Sequence, residues 1–408
     1  MEGWRNWKWL TTAAAALCAC ILLPALKAEA GSRLRRHSHT KRAARTARHA
    51  PLYRGALLED ADTGKVLYES NAAMQWPPAS MAKMMLLLVA QEQIKAGRFR
   101  LTDPVRISER AATTGGSHLG LSEGDVYPLG ELMKAALIKS ANNAAVAVAE
   151  KIAGSTEACV RMMNQRAKSL GLTHTVYNTV DGLPPRPAHD VDITNAYDLA
   201  TLGRALIQNT DLLQWSGLER ASFDNGEAVL HNTNHLVGHF EGCDGLKTGF
   251  TYQAGFNLTA TAKRGDMRLI AVVLGAPSNP ERFRQAARLL EWGFDNFTRV
   301  AVVKRGEPLP VHVQVEGGSL IQPVAASEVK LLLPKDHTGN VKLEYDVPVS
   351  VSGPLPAGAQ VGQVIVHDGK GVLTRVAAIC PMPVGSPERV LTGANEVNGY
   401  QGAAAVLH

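Results

Sequence analysis

The hydrophobic pattern changes period several times along the chain, and each change marks an element. Two short alternating runs, residues 55–60 and 65–69, flank Ala61-Asp62-Thr63-Gly64, whose turn chemistry predicts a β-hairpin. Next, Trp76-Pro77-Pro78-Ala79 forces an extended approach to Met84-Met85-Leu86-Leu87-Leu88-Val89, which is apolar on every face. That predicts a buried helix whose polar first turn stays uncovered. From about residue 97 to 230 the spacing is helical: Pro128-Leu129-Gly130-Glu131 opens a helix ending at Lys139, 143–152 is Ala/Val-rich, and 159–170 and 195–208 keep the same period. Strand character returns at 245–251, then at 255–263 and 267–274 across the Arg264-Gly265-Asp266 turn, and 280–297 is a closing amphipathic helix. Two strands, a helical insertion, three strands and a helix make one α/β domain over residues 52–298.

Beyond residue 298, short alternating runs at 311–315, 341–345 and 361–367 recur between Gly- and Pro-rich turns. They predict a small all-β sandwich over 299–383. The tail, 384–408, is Gly-, Ala- and Asn-rich without an amphipathic stripe, so it is expected to be disordered and gives no grounds for membrane attachment.

Composition adds compartment and partners. With 408 residues and 45% hydrophobic content, the chain can bury a large core in two or three domains. Residues 1–30 read as a signal peptide: Arg5 and Lys8, an apolar run over 10–26, then Ala28-Glu29-Ala30 before Gly31. That run falls short of the ~20 residues of a spanning helix, so an exported protein is expected, in the periplasm or at the outer face of the cytoplasmic membrane. The net charge of +6 is concentrated in residues 31–54, which hold Arg33, Arg35, Arg36, Lys41, Arg42, Arg45, Arg48 and Arg54 and no acid. Residues 31–51 are read as a basic disordered linker able to lean on anionic lipid or wall polymer. The body beyond is mildly acidic, which argues against nucleic acid as a partner. Cys159, Cys243 and Cys380 are widely separated, and no His, Asp, Glu or Cys cluster has ligand spacing; neither metal nor cofactor is expected.

Candidate chemistry begins with S-x-x-K, which occurs three times. Ser38…Lys41 lies in the basic stretch, and Ser327…Lys330 in a strand-like segment, where positions three apart face opposite ways. Only Ser80…Lys83 stands on a helix, where the two side chains share a face. Ser140-Ala141-Asn142 sits at a junction between two helices, a place where Ser and Asn also serve as caps. Lys247-Thr248-Gly249 lies on a strand. In this order, the three form the signature of penicillin-interacting serine acyl-transferases.

In such a set Ser80 attacks and Lys83 accepts its proton, provided that burial and a second cation, Lys247, lower the Lys83 pKa. Lys247 and the Thr248 hydroxyl would hold a substrate carboxylate. Ser140 would pass a proton to the leaving amine, and Asn142 would bond Lys83 or the substrate amide. The backbone N–H groups of Ser80 and Phe250 are the natural oxyanion hole.

From about residue 52 to 385 the chain resembles the low-molecular-mass penicillin-binding proteins that act as D-alanyl-D-alanine carboxypeptidases. The likeness rests on the three motifs, Asp62-Thr63-Gly64, Asn178…Gly182-Leu183, Asn232-Thr233-Asn234-His235-Leu236, Asp244 through Thr251, residues 289–294 and Pro356-Ala357-Gly358. It implies a β-lactamase/transpeptidase-like fold, an antiparallel sheet flanked by helices, and an enzyme, acylated by β-lactams, that trims the terminal D-Ala from peptidoglycan pentapeptides through an acyl-serine. Ser80, Lys83, Ser140 and Asn142 would then be catalytic, and Lys247, Thr248, Gly249, Phe250 and Arg282 would bind substrate, Arg282 at its terminal carboxylate. Phe250 departs from the family, standing where some members have His. A class A β-lactamase would need an E-x-x-x-N glutamate, and Glu150, Glu157, Glu219 and Glu227 have no such setting. A DD-endopeptidase uses the same machinery and remains the alternative. A wall-binding pseudoenzyme is opposed by the intact motif residues.

Overall fold

The structure, a computed structural model, describes residues 52–184, 191–336, 341–368 and 371–385. The expected signal peptide, the basic linker and tail residues 386–408 lie outside the described residues. Among the described residues no helix is long and apolar enough to cross a membrane, and no group of three His, Cys, Asp or Glu could hold a metal ion.

A five-stranded sheet forms the frame: β1 (Gly55–Asp60), β2 (Val66–Ser70), β3 (Cys243–Thr251), β4 (Gly255–Arg264) and β5 (Met267–Ala276). Its order is β2-β1-β5-β4-β3, antiparallel throughout, with Leu57 opposite Val272, Ala271 opposite Ala260 and Thr259 opposite Lys247. All six β1 residues are buried because both faces of the sheet are covered. Leu57 and Val272 join the helical core on one face, while Leu58 and Val273 join Leu290 and Phe294 on the other.

The helical face is built from α1 (Lys83–Lys95), α2 (Leu129–Ile138), α3 (Asn142–Ala153), α4 (Thr156–Ser169) and α5 (Ala196–Asn209). Ser155 and Asn195 cap α4 and α5, accepting from the N–H of Ala158 and Asp198, and Gly154 ends α3 in the left-handed region. Helix α6 (Asn279–Asn296) closes the opposite face, its apolar stripe of Phe283, Leu290 and Phe294 set down on the sheet. The first turn of α1 differs from expectation. Residues 83–91 are all buried, Lys83 included, because α3 and the 178–183 turn cover the helix end.

Strand β6 (Phe297–Val303) follows α6 without a linker and pairs antiparallel with β10 (Val329–Pro334). Between and after them come β7 (Val313–Val315), β8 (Ser319–Ile321), β9 (Val324–Ala325), β11 (Lys342–Asp346), β12 (Ser350–Val351), β13 (Gln360–Asp368) and β14 (Gly371–Ile379). They form one sheet ordered β8-β7-β12 and another ordered β9-β14-β13-β11, over two apolar clusters around Val364 and Val313. The expected tail starts too early, since Val384 still exchanges backbone hydrogen bonds with Leu355. Arg299 of β6 pairs with buried Asp60 and, at 2.8 Å, with Asp62, which ties this module to the β1 hairpin.

Candidate active site

Ser80 lies in a 3₁₀ turn, Ala79–Ala82, leading into α1. The residue before it, Ala79, holds a left-handed backbone, φ 51°. The tight turn differs from the regular helical turn expected, yet it still brings the pair together: Lys83 Nζ is 2.9 Å from Ser80 Oγ. The same ammonium donates to Asn142 Oδ1 and to the Asp181 carbonyl, both at 2.7 Å. Burial lowers the Lys83 pKa from 10.5 to about 8, against the opposing charges of Asp181 and Asp192. Burial and a second cation, Lys247, were expected to share that depression, and burial is the part found at Lys83. The mutual repulsion instead appears on Lys247, pushed well below its ordinary value by burial first, then by Lys83 and Arg282.

Ser140 and Asn142 come from the α2–α3 junction. Neither caps α3, whose N-cap position is Ala141 with no side-chain cap bond. The Asn142 amide is used on Lys83 and, through Nδ2, on the Gly115 carbonyl at 2.8 Å, while Asn142 N donates to the Ser117 carbonyl at 2.6 Å. Ser140 has a left-handed backbone, φ 65°, that turns its hydroxyl toward β3. There it accepts from Lys247 Nζ at 2.8 Å; Lys247 also donates to the Thr248 carbonyl at 3.1 Å. The Thr248 hydroxyl donates to Thr233 at 2.8 Å.

Two glycines allow these walls to meet. A Cβ at Gly249 would lie 2.4 Å from the Pro78 carbonyl oxygen, and one at Gly182, where φ is +80°, would lie 1.9 Å from that of Ala79. Strand β3 and the 178–183 turn therefore press directly on the Ser80 turn from two sides.

Phe250 is half-exposed and stacks on Phe256 at 4.3 Å, with Tyr252 at its edge, 5.7 Å away. Arg282 is buried beneath, over the Phe256 and Phe283 rings, and donates to the carbonyls of Gly249 and Asn257 at 3.1 and 3.3 Å. Burial lowers its pKa to about 10. Its observed partners are thus the backbones of β3 and β4, which it braces while lining the cleft. Ser80, Ser140, Asn142, Thr248, Phe250 and Arg282 line one cavity of about 300 Å³. A larger one, about 750 Å³, adjoins it across Gly116 and Leu183.

All nine residues singled out in the sequence converge here. Missing from that set were the Asp181 carbonyl, Thr233 and the Gly115–Ser117 segment. Thr233 and the 178–183 turn fall within stretches shared with the family, but a backbone acceptor carries no residue-type signal. Chemically, the cleft offers a hydroxyl beside a buried amine, a second buried cation bonded to another hydroxyl, and an open apolar rim.

A family model described as D-alanyl-D-alanine carboxypeptidase matches residues 43–278. D-alanyl-D-alanine carboxypeptidase DacF of Bacillus subtilis is 35% identical over 335 residues, 81% of this chain and 85% of the relative. Penicillin binding protein 6B from Escherichia coli superimposes with a TM-score of 0.65 at 30% identity, over 81% of this chain and 96% of that one. Penicillin-Binding Protein D2 from Listeria monocytogenes, solved in an ampicillin-bound form, gives 0.53 at 28% identity, over 60% and 98%. A match of that extent makes the chain a member of the D-alanyl-D-alanine carboxypeptidase family.

Proposed function

We propose that the protein is an exported serine D-alanyl-D-alanine carboxypeptidase that removes the terminal D-Ala from peptidoglycan stem peptides. The observation that carries this reading is the contact between Lys83 Nζ and Ser80 Oγ, 2.9 Å, with the amine buried and its pKa near 8. A lysine in that state takes a proton at neutral to mildly alkaline pH.

Ser80 Oγ attacks the carbonyl of the penultimate D-Ala as its proton passes to Lys83. The oxyanion sits against the backbone N–H groups of Ser80 and Phe250, an arrangement in which one donor is worth about 10²–10³ in rate. The C–N bond then breaks, and Ser140 hands a proton to the departing amine. Lys247 and Thr248 hold the carboxylate of that terminal residue, and Gly249 lets the strand carrying them close on Ser80. Water then cleaves the acyl-serine and returns the site to its starting state. A β-lactam follows the first half of this course, but its leaving nitrogen stays tethered, so the ester persists. The N-terminal sequence supports export, and the basic residues 31–54 support attachment to an anionic envelope surface, which salt would weaken.

Incubation with a fluorescent penicillin followed by intact-mass measurement tests the assignment. One covalent adduct is expected, absent in Ser80→Ala; no adduct, or one that survives that change, overturns it. D-Ala release from a pentapeptide is expected to outrun cleavage of a cross-linked dimer, and the reverse order would make the protein an endopeptidase.

A further inference from the structure

The three partners of Lys83 Nζ are not equivalent. Asn142 Oδ1 and the Asp181 carbonyl can only accept, whereas the Ser80 hydroxyl can accept or donate. When Lys83 loses a proton, its two remaining N–H groups go to the two obligate acceptors. The lone pair is then left pointing at Ser80, the direction a base requires. The Asp181 carbonyl thus decides which way the amine faces, and what holds that carbonyl becomes part of the reaction geometry.

It is held from below by a hydrogen-bonded frame. Asp192, itself buried, accepts through Oδ1 from the N–H of Asn178 and Thr179 at 2.6 and 2.9 Å, and through Oδ2 from the Thr179 hydroxyl at 2.8 Å. That hydroxyl in turn accepts from Gly182 N at 2.8 Å, closing the turn around Asp181. The Asp181 carboxylate accepts from Leu183 N at 2.9 Å. Just after Asp192, Ile193 exchanges backbone bonds with Val176, and Thr194 with Trp76, four residues ahead of Ser80. One segment therefore joins the approach to the nucleophile with the turn that orients the base.

We propose that Asp192 and Thr179 are positioning residues of acylation, fixing the Asp181 carbonyl so that the Lys83 lone pair meets Ser80. The inference rests on the carboxypeptidase reading above. The charged and titratable groups around this frame are Asp181, Lys83 and Lys247 toward the cleft, Arg110 at the Asp181 side, and Tyr177 and Asp198 behind. Burial raises the Asp192 pKa to about 6, so it is ionised at pH 7.5 and its charge favours the ammonium form of Lys83.

The test is the second-order rate of labelling by a fluorescent penicillin across pH, on the full chain, beside the melting temperature. Thr179→Val keeps the shape and removes the hydroxyl; it is expected to slow labelling about 10- to 100-fold, as ångström-scale misplacement does, while Thr179→Ser stays within about threefold of wild type. Asp192→Asn is expected to move the acid limb of the profile about half a unit or more to lower pH, since a charge favouring the ammonium is gone. Purely structural residues would lower the melting temperature and leave the limb in place. The proposal falls if wild type labels and Thr179→Val labels equally fast, if Thr179→Ser loses as much as Thr179→Val, or if the Asp192→Asn limb does not move. Should Thr179→Val fail to fold, the Asp192→Asn limb decides alone. If wild type does not label, the carboxypeptidase reading fails first and takes this inference with it.

Discussion

Ser140 Oγ lies 2.8 Å from Lys247 Nζ, and it reaches that point only because Ser140 holds a left-handed backbone, φ 65°. Such a conformation costs a non-glycine residue about 1–2 kcal/mol, so the hydroxyl and the strain can be separated. Ser140→Ala and Ser140→Gly both remove the hydroxyl proposed to pass a proton to the leaving amine and should slow D-Ala release alike, by about 10²–10⁴. The glycine variant should nevertheless melt higher than the alanine variant. Parallel kinetics and thermal denaturation check both halves.

Labelling by penicillin should rise with pH through a midpoint near 8, the pKa that burial sets for Lys83. In the proposed role of base Lys83 works only after losing a proton, so the active fraction grows upward through that value. Lys83→Arg should abolish labelling at every pH, because a guanidinium stays charged.

The same shift has a thermodynamic face. The folded pKa of about 8 lies below the ordinary 10.5, so between these values the unfolded chain binds the proton more tightly. Below pH 8 the buried ammonium therefore subtracts stability, by an amount on the order of 3 kcal/mol. Relative to Lys83→Met, wild type should gain stability as pH is raised from 8 to 10, read by denaturant titration at each pH.

Gly182 and Gly154 both have φ +80°, but only Gly182 faces a wall. Gly182→Ala drives a methyl into the Ala79 carbonyl and should displace the Ser80 turn, abolishing labelling. Gly154→Ala meets open space at the end of α3 and should cost about 1 kcal/mol of stability with labelling unchanged. A labelling gel and a melting curve for each variant suffice.

Arg299→Met would strand the buried Asp60 carboxylate, which then keeps only its bonds from Thr63. Loss of one partner of a buried pair typically costs about 3–5 kcal/mol. The expected result is a clear drop in melting temperature with an unchanged labelling rate at 25 °C. A drop in labelling as well would tie the β module to the state of the cleft.

The sheet, the helices and the three motifs were legible because long elements keep a clear period and because Ser, Lys, Asn and Thr carry their chemistry in their side chains. The β module was legible as a whole from its longer alternating runs, but strands as short as Val324–Ala325 and Ser350–Val351 have no period to read and were not placed individually. The surroundings of Lys83 were misjudged for a different reason. An apolar run announces burial of the helix body, but its first turn is covered from 59 and 98 residues away, by Asn142, whose bond to Lys83 was among the expectations, and by the Asp181 carbonyl, which was not. The Thr248–Thr233 bond and the left-handed Ala79 were likewise set by tertiary packing, on which local sequence is silent.

Lys247 is a buried cation whose two hydrogen-bond acceptors, the Ser140 hydroxyl and the Thr248 carbonyl, are both neutral. Held well below its ordinary pKa, it is short of a counter-charge. A ligand that brings a carboxylate supplies that charge and raises the affinity of the amine for its proton. An anion in the cleft should therefore be held by the ammonium form of Lys247, and Lys247→Met should bind it more weakly than wild type. Lys83 has to lose its proton to take one from Ser80, whereas Lys247 has to keep its own to hold a carboxylate, so the cleft sets opposite demands on two buried amines.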